Sequence, residues 1–151
     1  MDREQLVKSA NELKSVSNSS SKEYSDKIAI IVSRTDELLM ARDDLDKLVG
    51  SNNLSMMKDN HANHARFIST IIANHNSEVL VDTILWVFNA YQNHGFASNY
   101  WAAQLNTWIT VIKESLSQES FDEIYPLYLW MQVNIPSFVE VSKQIVNNPH
   151  E

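Results

Sequence analysis

Apolar residues recur along this chain of 151 residues at intervals of three and four, the spacing of one helix face rather than of a strand. Leu6, Ala10 and Leu13 define a first short helix over 2–15. The run SVSNSSS from Ser15 to Ser21 interrupts it, because serine hydroxyls compete for backbone hydrogen bonds and disfavour helix interiors. From Lys22 to Val49, Tyr24, Ile28, Ile31, Leu38, Leu45 and Val49 continue the pattern across Thr35 and Arg42, and predict one long helix. Gly50 stands where a left-handed cap residue is wanted. At 1.5 Å per residue that helix would be about 40 Å long, enough to serve also as a surface for a second copy of the protein.

The third pattern, Leu54 to His75, carries Met57, His61, His64, Ile68, Ile71 and Ile72 on one stripe. Asn76-Ser77 breaks it, and Ser77 is a natural N-cap for a fourth helix over 78–94. The core face there is Leu80, Val81, Ile84, Leu85, Phe88 and Tyr91, with Trp86 and Val87 offset, and Gly95 ends the helix. Ser98 caps a fifth helix with Trp101, Leu105, Trp108, Ile109, Ile112 and Leu116 on one face. The stretch 121–134 is largely apolar but holds Pro126, which predicts a helix that is kinked or split. Pro136 opens a last helix through Val146, since proline suits a first helical turn. No strand-period segment and no internal repeat stands out. The expectation is a single all-α domain over 1–151, bundle-like or globin-like, with six to seven helices.

Composition narrows the function. Two glycines leave no phosphate-cradling loop, and the absence of cysteine excludes disulfides, thiolate zinc sites and a cysteine nucleophile. A net charge of −7 argues against nucleic acid as a partner. That charge is uneven: residues 1–66 hold ten Lys+Arg against eleven Asp+Glu, while 67–151 hold two against eight. Eleven of the fourteen aromatic residues lie between Trp86 and Trp130. The chain therefore divides into charged N-terminal helices (1–50), a candidate dimer or partner surface, and an aromatic-rich helical core (54–147). No apolar run is long enough for a membrane span or resembles a signal sequence, so a cytoplasmic protein without a membrane partner is expected.

Candidate chemistry begins with the histidines. His61 and His64 share one helix face, His75 lies further along, and His94 ends the fourth helix. Neither a Glu-x-x-His pair nor His-Glu-x-x-His occurs, so the histidines lack the carboxylate company of a metal centre. A globin-sized helical chain also invites a haem or other tetrapyrrole reading, with His94 or His64 as axial ligand. No glycine-framed serine and no Ser/His/Asp arrangement appears, and Glu78 with Asp82 reads as a solvated strip or a complement to the helix dipole. A non-catalytic protein is expected.

The densest signal runs from Trp86 through Tyr91, His94, Gly95, Tyr100 and Trp101 to Trp108. Amides, a histidine and hydroxyls are mixed there with aromatic rings at a helix–turn–helix corner. It is either a packed corner or an aromatic-walled pocket with a few convergent polar groups. His61, His64, Trp86, Tyr91, His94, Tyr100, Trp101 and Trp108 are the candidate ligand-binding residues.

The run His64-Ala-Arg-Phe67-Ile, then Leu80-Val-Asp82-Thr-Ile-Leu-Trp86, His94-Gly95-Phe96, Tyr100-Trp101 and Leu105 resembles bacterial helical sensor modules found beside cobalamin-binding domains. The resemblance covers about residues 60–135. It implies a regulatory or ligand-sensing unit in signalling rather than a catalyst. The glycine-rich α/β pattern of the cobalamin-contacting domain itself is absent. In size and helicity the chain is also similar to haem-free, globin-like domains of bacterial stress signalling. Together these imply a sensor domain that binds a signalling partner or a small apolar or aromatic ligand. The alternatives are a tetrapyrrole carrier and a structural interaction domain without a ligand.

Overall fold

Four of the helix starts carry a side-chain cap. In a computed structural model, which describes residues 1–144, nine helices and no strand are present among the described residues: α1 (Arg3–Ala10), α2 (Asn18–Asp26), α3 (Ile28–Met40), α4 (Leu45–Val49), α5 (Leu54–Ala73), α6 (Ser77–Asn93), α7 (Asn99–Ser115), α8 (Gln118–Val133) and α9 (Ile135–Ser142). Asp2 and Gln5 form a reciprocal capping box at α1. Ser17 and Ser117 accept the backbone N–H three residues on at α2 and α8, and Asn76, not Ser77, does so at α6. Val146, the expected end of the last helix, lies outside the described residues.

The all-α expectation holds, with more and shorter helices than the six to seven foreseen. The single 22–49 helix does not form. Lys27 ends α2 with φ −103° and ψ 8°, and its ammonium reaches the Ser115 carbonyl at the C-terminus of α7, 2.6 Å away. A second break follows Met40, where Arg42 grips Asp44 through two bonds of 2.8 and 2.9 Å. The 40 Å rod proposed as a dimer surface is thus three helices folded onto the body. The serine-rich run is not a simple break either, since Asn18 already begins α2. Pro126, by contrast, does not split its helix: α8 runs through it. Pro126 and Asp122 are both exposed, so water can meet the carbonyl that proline leaves without a donor.

α7 packs between α3 and α8, α6 packs against α1 and α9, and α5 lies on α2 and α3. One core joins them, with Trp108, Tyr24, Tyr100, Tyr128 and Phe138 the largest sealed side chains. Glu78 is solvated in the first turn of α6, but Asp82 is engaged: Arg3 donates two bonds to it, at 2.7 and 2.9 Å, and ties α1 to α6. The two glycines, 45 positions apart in sequence, meet in space. Gly50 (φ +86°) and Gly95 (φ +97°) face each other across the α4–α5 and α6–α7 turns, and a Cβ on Gly50 would stand 3.1 Å from the Gly95 carbonyl oxygen. Asn53 clamps both turns, donating to the Val49 and His94 carbonyls at 2.7 and 2.8 Å.

No described helix is long and apolar enough to cross a membrane.

Candidate functional site

The aromatic corner is packed, and a cavity lies beside it. Around Gly95 the rings close on one another: Tyr91 meets Phe96 edge-on at 5.1 Å, Phe96 meets Tyr100 at 4.9 Å, and Tyr100 meets Trp101 at 5.0 Å. Trp101 also stacks on Phe88 with centroids 4.0 Å apart. Below these rings α5, α6 and α7, with Met131 of α8 and Phe138 of α9, enclose a cavity of about 290 Å³. That is close to the lower end of the about 300–1,000 Å³ usual for small-ligand sites. Phe67, Trp86, Val87, Phe88, Trp101 and Leu105 supply most of its wall, and Asn60, Asn63, His64, Thr83, Tyr91 and Gln104 its polar points. No Asp, Glu, Lys or Arg is among the described lining residues.

A larger hollow of about 520 Å³ lies under the α1–α2 connection, between the C-terminal end of α5 and α8. Glu12, Lys14 and Glu123 line it beside Leu13, Val16 and Pro126. Its wall is mixed and charged, so it offers an apolar ligand a poorer match than the aromatic cavity does.

Two hydrogen-bonded networks stand behind the aromatic cavity. In the first, His61 Nδ1 lies 2.5 Å from Asp36 of α3, and its Nε2 is 3.4 Å from the Tyr100 hydroxyl. Tyr100 donates to Asn60 Oδ1 at 2.8 Å, and the Gln104 amide donates to the same oxygen. Asp36 therefore connects, through His61 and Tyr100, to two of the three amides that line the cavity, Asn60 and Gln104. Burial pulls His61 below its ordinary pKa, and the Asp36 carboxylate opposes that. In the second network Tyr24, Tyr128 and His64 form a chain, with 2.8 Å between the hydroxyls and 2.9 Å from Tyr128 to His64 Nε2. Burial, with His61 nearby, lowers His64 to about 3, so the imidazole is neutral at neutral pH. His64 also stacks on Trp108, centroids 4.6 Å apart.

The eight candidate residues thus separate. His64, Trp86, Tyr91 and Trp101 line the cavity. His61, Tyr100 and Trp108 lie behind it, sealed in the core, where they hold the lining side chains. His94 is at the surface, its Nδ1 2.8 Å from the Ala90 carbonyl oxygen, away from the cavity. His75 spans the α1 end and the α6 start, within 3.1 Å of the Ala10 carbonyl oxygen and 2.8 Å of Ser77. The described residues hold no group of three or more His, Cys, Asp and Glu able to bind a metal.

Asn60 escaped the sequence reading, as did Asp36, while Gln104 falls among the amides of the aromatic run without being singled out as a candidate. Asn60 sits on the stripe of Met57, His64 and Ile68, and Gln104 is one turn from Tyr100 on the Trp108 face. A carboxamide on an otherwise apolar stripe was the available signal. Asp36 carried none, since an acidic residue beside Thr35 and Glu37 reads as solvated.

No known protein family, characterised protein or solved structure matches this chain.

Proposed function

We propose that the chain is a non-catalytic, sensor-type binding domain whose ligand is a small, flat, mainly apolar molecule held in the aromatic cavity between α5, α6 and α7. The carrying observation is the lining itself: aromatic and aliphatic walls, neutral polar points, and no ionised side chain among the described residues. The hydrogen-bond networks behind the wall support the same reading. Asn60 and Gln104 are fixed by Tyr100 and His61, so a ligand meets amides already oriented and pays little to order them. The nearest approach to a catalytic pair, His61 with Asp36, is sealed from the cavity, with the His61 side chain wholly buried. A tetrapyrrole fits this geometry less well. His94 lies outside the cavity, and His64 already spends Nε2 on Tyr128.

Titration with the neutral probe N-phenyl-1-naphthylamine tests the reading. One equivalent should bind with enhanced emission, and Val87→Trp, which projects a large ring from the half-buried rim, should abolish it. Failure of the probe to bind, or binding untouched by both Val87→Trp and Asn63→Trp, would overturn the proposal.

A further inference from the structure

The hydrogen bonds behind the cavity also specify what the occupant must carry, an inference that rests on the cavity being a ligand site. Tyr24 is wholly buried, and its hydroxyl meets only Tyr128 among the described residues. Burial pushes both phenols above their ordinary pKa, so each keeps its proton. The tautomer of His64 then decides the proton order. If His64 donated from Nε2, three protons would share two contacts, and either the Tyr24 or the Tyr128 proton would be left buried without an acceptor. An unmet buried donor is costly, whereas an unused lone pair on a hydroxyl oxygen is tolerated. The favoured order runs the other way: Tyr24 donates to Tyr128, Tyr128 donates to His64 Nε2, and neutral His64 carries its proton on Nδ1.

That Nδ1–H has no protein partner among the described residues. It is not one of the sealed orphans either, which are Thr35 Oγ1, Trp101 Nε1 and Trp108 Nε1. His64 is half-buried and lines the cavity, so its spare donor is accessible to an occupant. We propose that the cavity selects an uncharged aromatic or heteroaromatic molecule bearing a hydrogen-bond acceptor, a ring nitrogen or carbonyl, received by the Nδ1–H of His64, with Tyr24 and Tyr128 as positioning residues. An ionised ligand is selected against, because the wall offers no counter-charge to repay its lost hydration.

An isosteric series separates this inference from the reading beneath it. Naphthalene, quinoline and 2-naphthoate differ little in shape but present no acceptor, a neutral ring nitrogen, and a carboxylate. On the intact protein, by calorimetry at pH 8, quinoline should bind about fivefold tighter than naphthalene, the worth of one net hydrogen bond, and 2-naphthoate weakest. In Tyr128→Phe the quinoline preference should fall to near parity while naphthalene affinity holds. The ¹⁵N shifts of His64 give a readout independent of ligand, with the Nδ1–H tautomer dominant in the unbound protein and a mixture in Tyr128→Phe. Equal binding of quinoline and naphthalene, tight 2-naphthoate, or an Nε2–H tautomer would overturn the inference while the cavity remained a binding site. Binding of none of the three would overturn both.

Discussion

Two polar clusters, one at a partly exposed helix crossing and one beside the cavity, differ in whether any hydrogen-bonding capacity is left over. Where α2 crosses α8, nothing is left. Glu123 accepts from the Ser17 backbone N–H at 2.8 Å, from the Ser17 hydroxyl at 2.9 Å and from Ser20. Glu23 does the same for the other helix, accepting from the Ser117 N–H and hydroxyl at 2.7 Å each and from Ser120 at 2.6 Å. The Ser20 and Ser120 hydroxyls stand 3.0 Å apart at the crossing point. Each helix start is thus held by a carboxylate from the other helix. Beside the aromatic cavity the accounting stays open: His64 has one ring nitrogen engaged and one spare. A satisfied polar cluster fixes a fold, and one with spare donors beside a void invites a ligand.

Adding bulk gives the largest contrast. Ser120→Leu forces a branched side chain into the α2–α8 crossing and removes one donor to Glu23, and should cost about 3 kcal/mol. Val87→Trp adds more volume but at the cavity rim, and should change stability by less than about 1 kcal/mol. Urea denaturation of both variants checks this. Comparable losses would show that the cavity is as tightly packed as the crossing, and would remove the comparison.

Acid separates the two regions by pH. His61 and His64 are both depressed in the folded protein, so the unfolded chain takes up their protons first. Their contribution to stability is complete above the ordinary histidine value of 6.5 and is lost as pH falls from there toward about 3 for His64. Glu23, held down to about 2 mainly by the Ser120 and Ser117 hydroxyls, contributes fully above 4.5 and loses that contribution as pH falls toward about 2. Glu123 is lowered for the same reason, by Ser20 and Ser17. Thermal unfolding between pH 7 and 5 should therefore flatten in His64→Gln and be unaffected by Glu23→Gln. Between pH 4.5 and 3 Glu23→Gln should flatten the curve as well, on top of the His64→Gln effect, which persists down to about pH 3. A Glu23→Gln protein that lost its slope above pH 5 would break the assignment.

How far the sequence reveals this contrast follows from what each region is built of. Helical spacing alone located α5, α6 and α7, and so the walls of the cavity, because their apolar stripes are long and their ends carry Asn76, Gly95 and Ser98. The same spacing misled over 22–49. The stripe resumes past Thr35 and Arg42 as far as Val49, and the contacts at the breaks, Lys27 to the end of α7 and Arg42 to Asp44, leave no periodic trace. Thr35 reads as an interruption, yet it is wholly buried and belongs to the stripe. Within the site, the rings and the amides of the same run, Gln104 among them, are legible, while Asn60, on another helix, is not. The reciprocal caps were in plain view as two copies of Ser-x-x-Ser-x-x-Glu, at 17–23 and 117–123, in a chain read as having no internal repeat. Two seven-residue matches are too short to stand out until the structure shows each glutamate answering the other serine pair.

The smallest effect tests whether those two copies are equivalent. Ser17 and Ser117 hold nearly the same backbone geometry, φ −63°, ψ 156° and φ −59°, ψ 157°. Each accepts from the serine N–H three residues on, at 3.3 and 3.2 Å. Replacing either by alanine removes one cap and one donor to a glutamate, so Ser17→Ala and Ser117→Ala should each cost about 1 kcal/mol. Because Ser20 and Ser120 touch at the centre, the two losses share a neighbourhood and need not add. If each cap is independent, the double variant loses the sum. If the crossing acts as one unit, the first alanine already slackens both ends, and the double variant loses less than the sum. The second outcome is expected, since each glutamate holds the start of one helix while belonging to the other, so loosening one start frees the carboxylate that secures its partner.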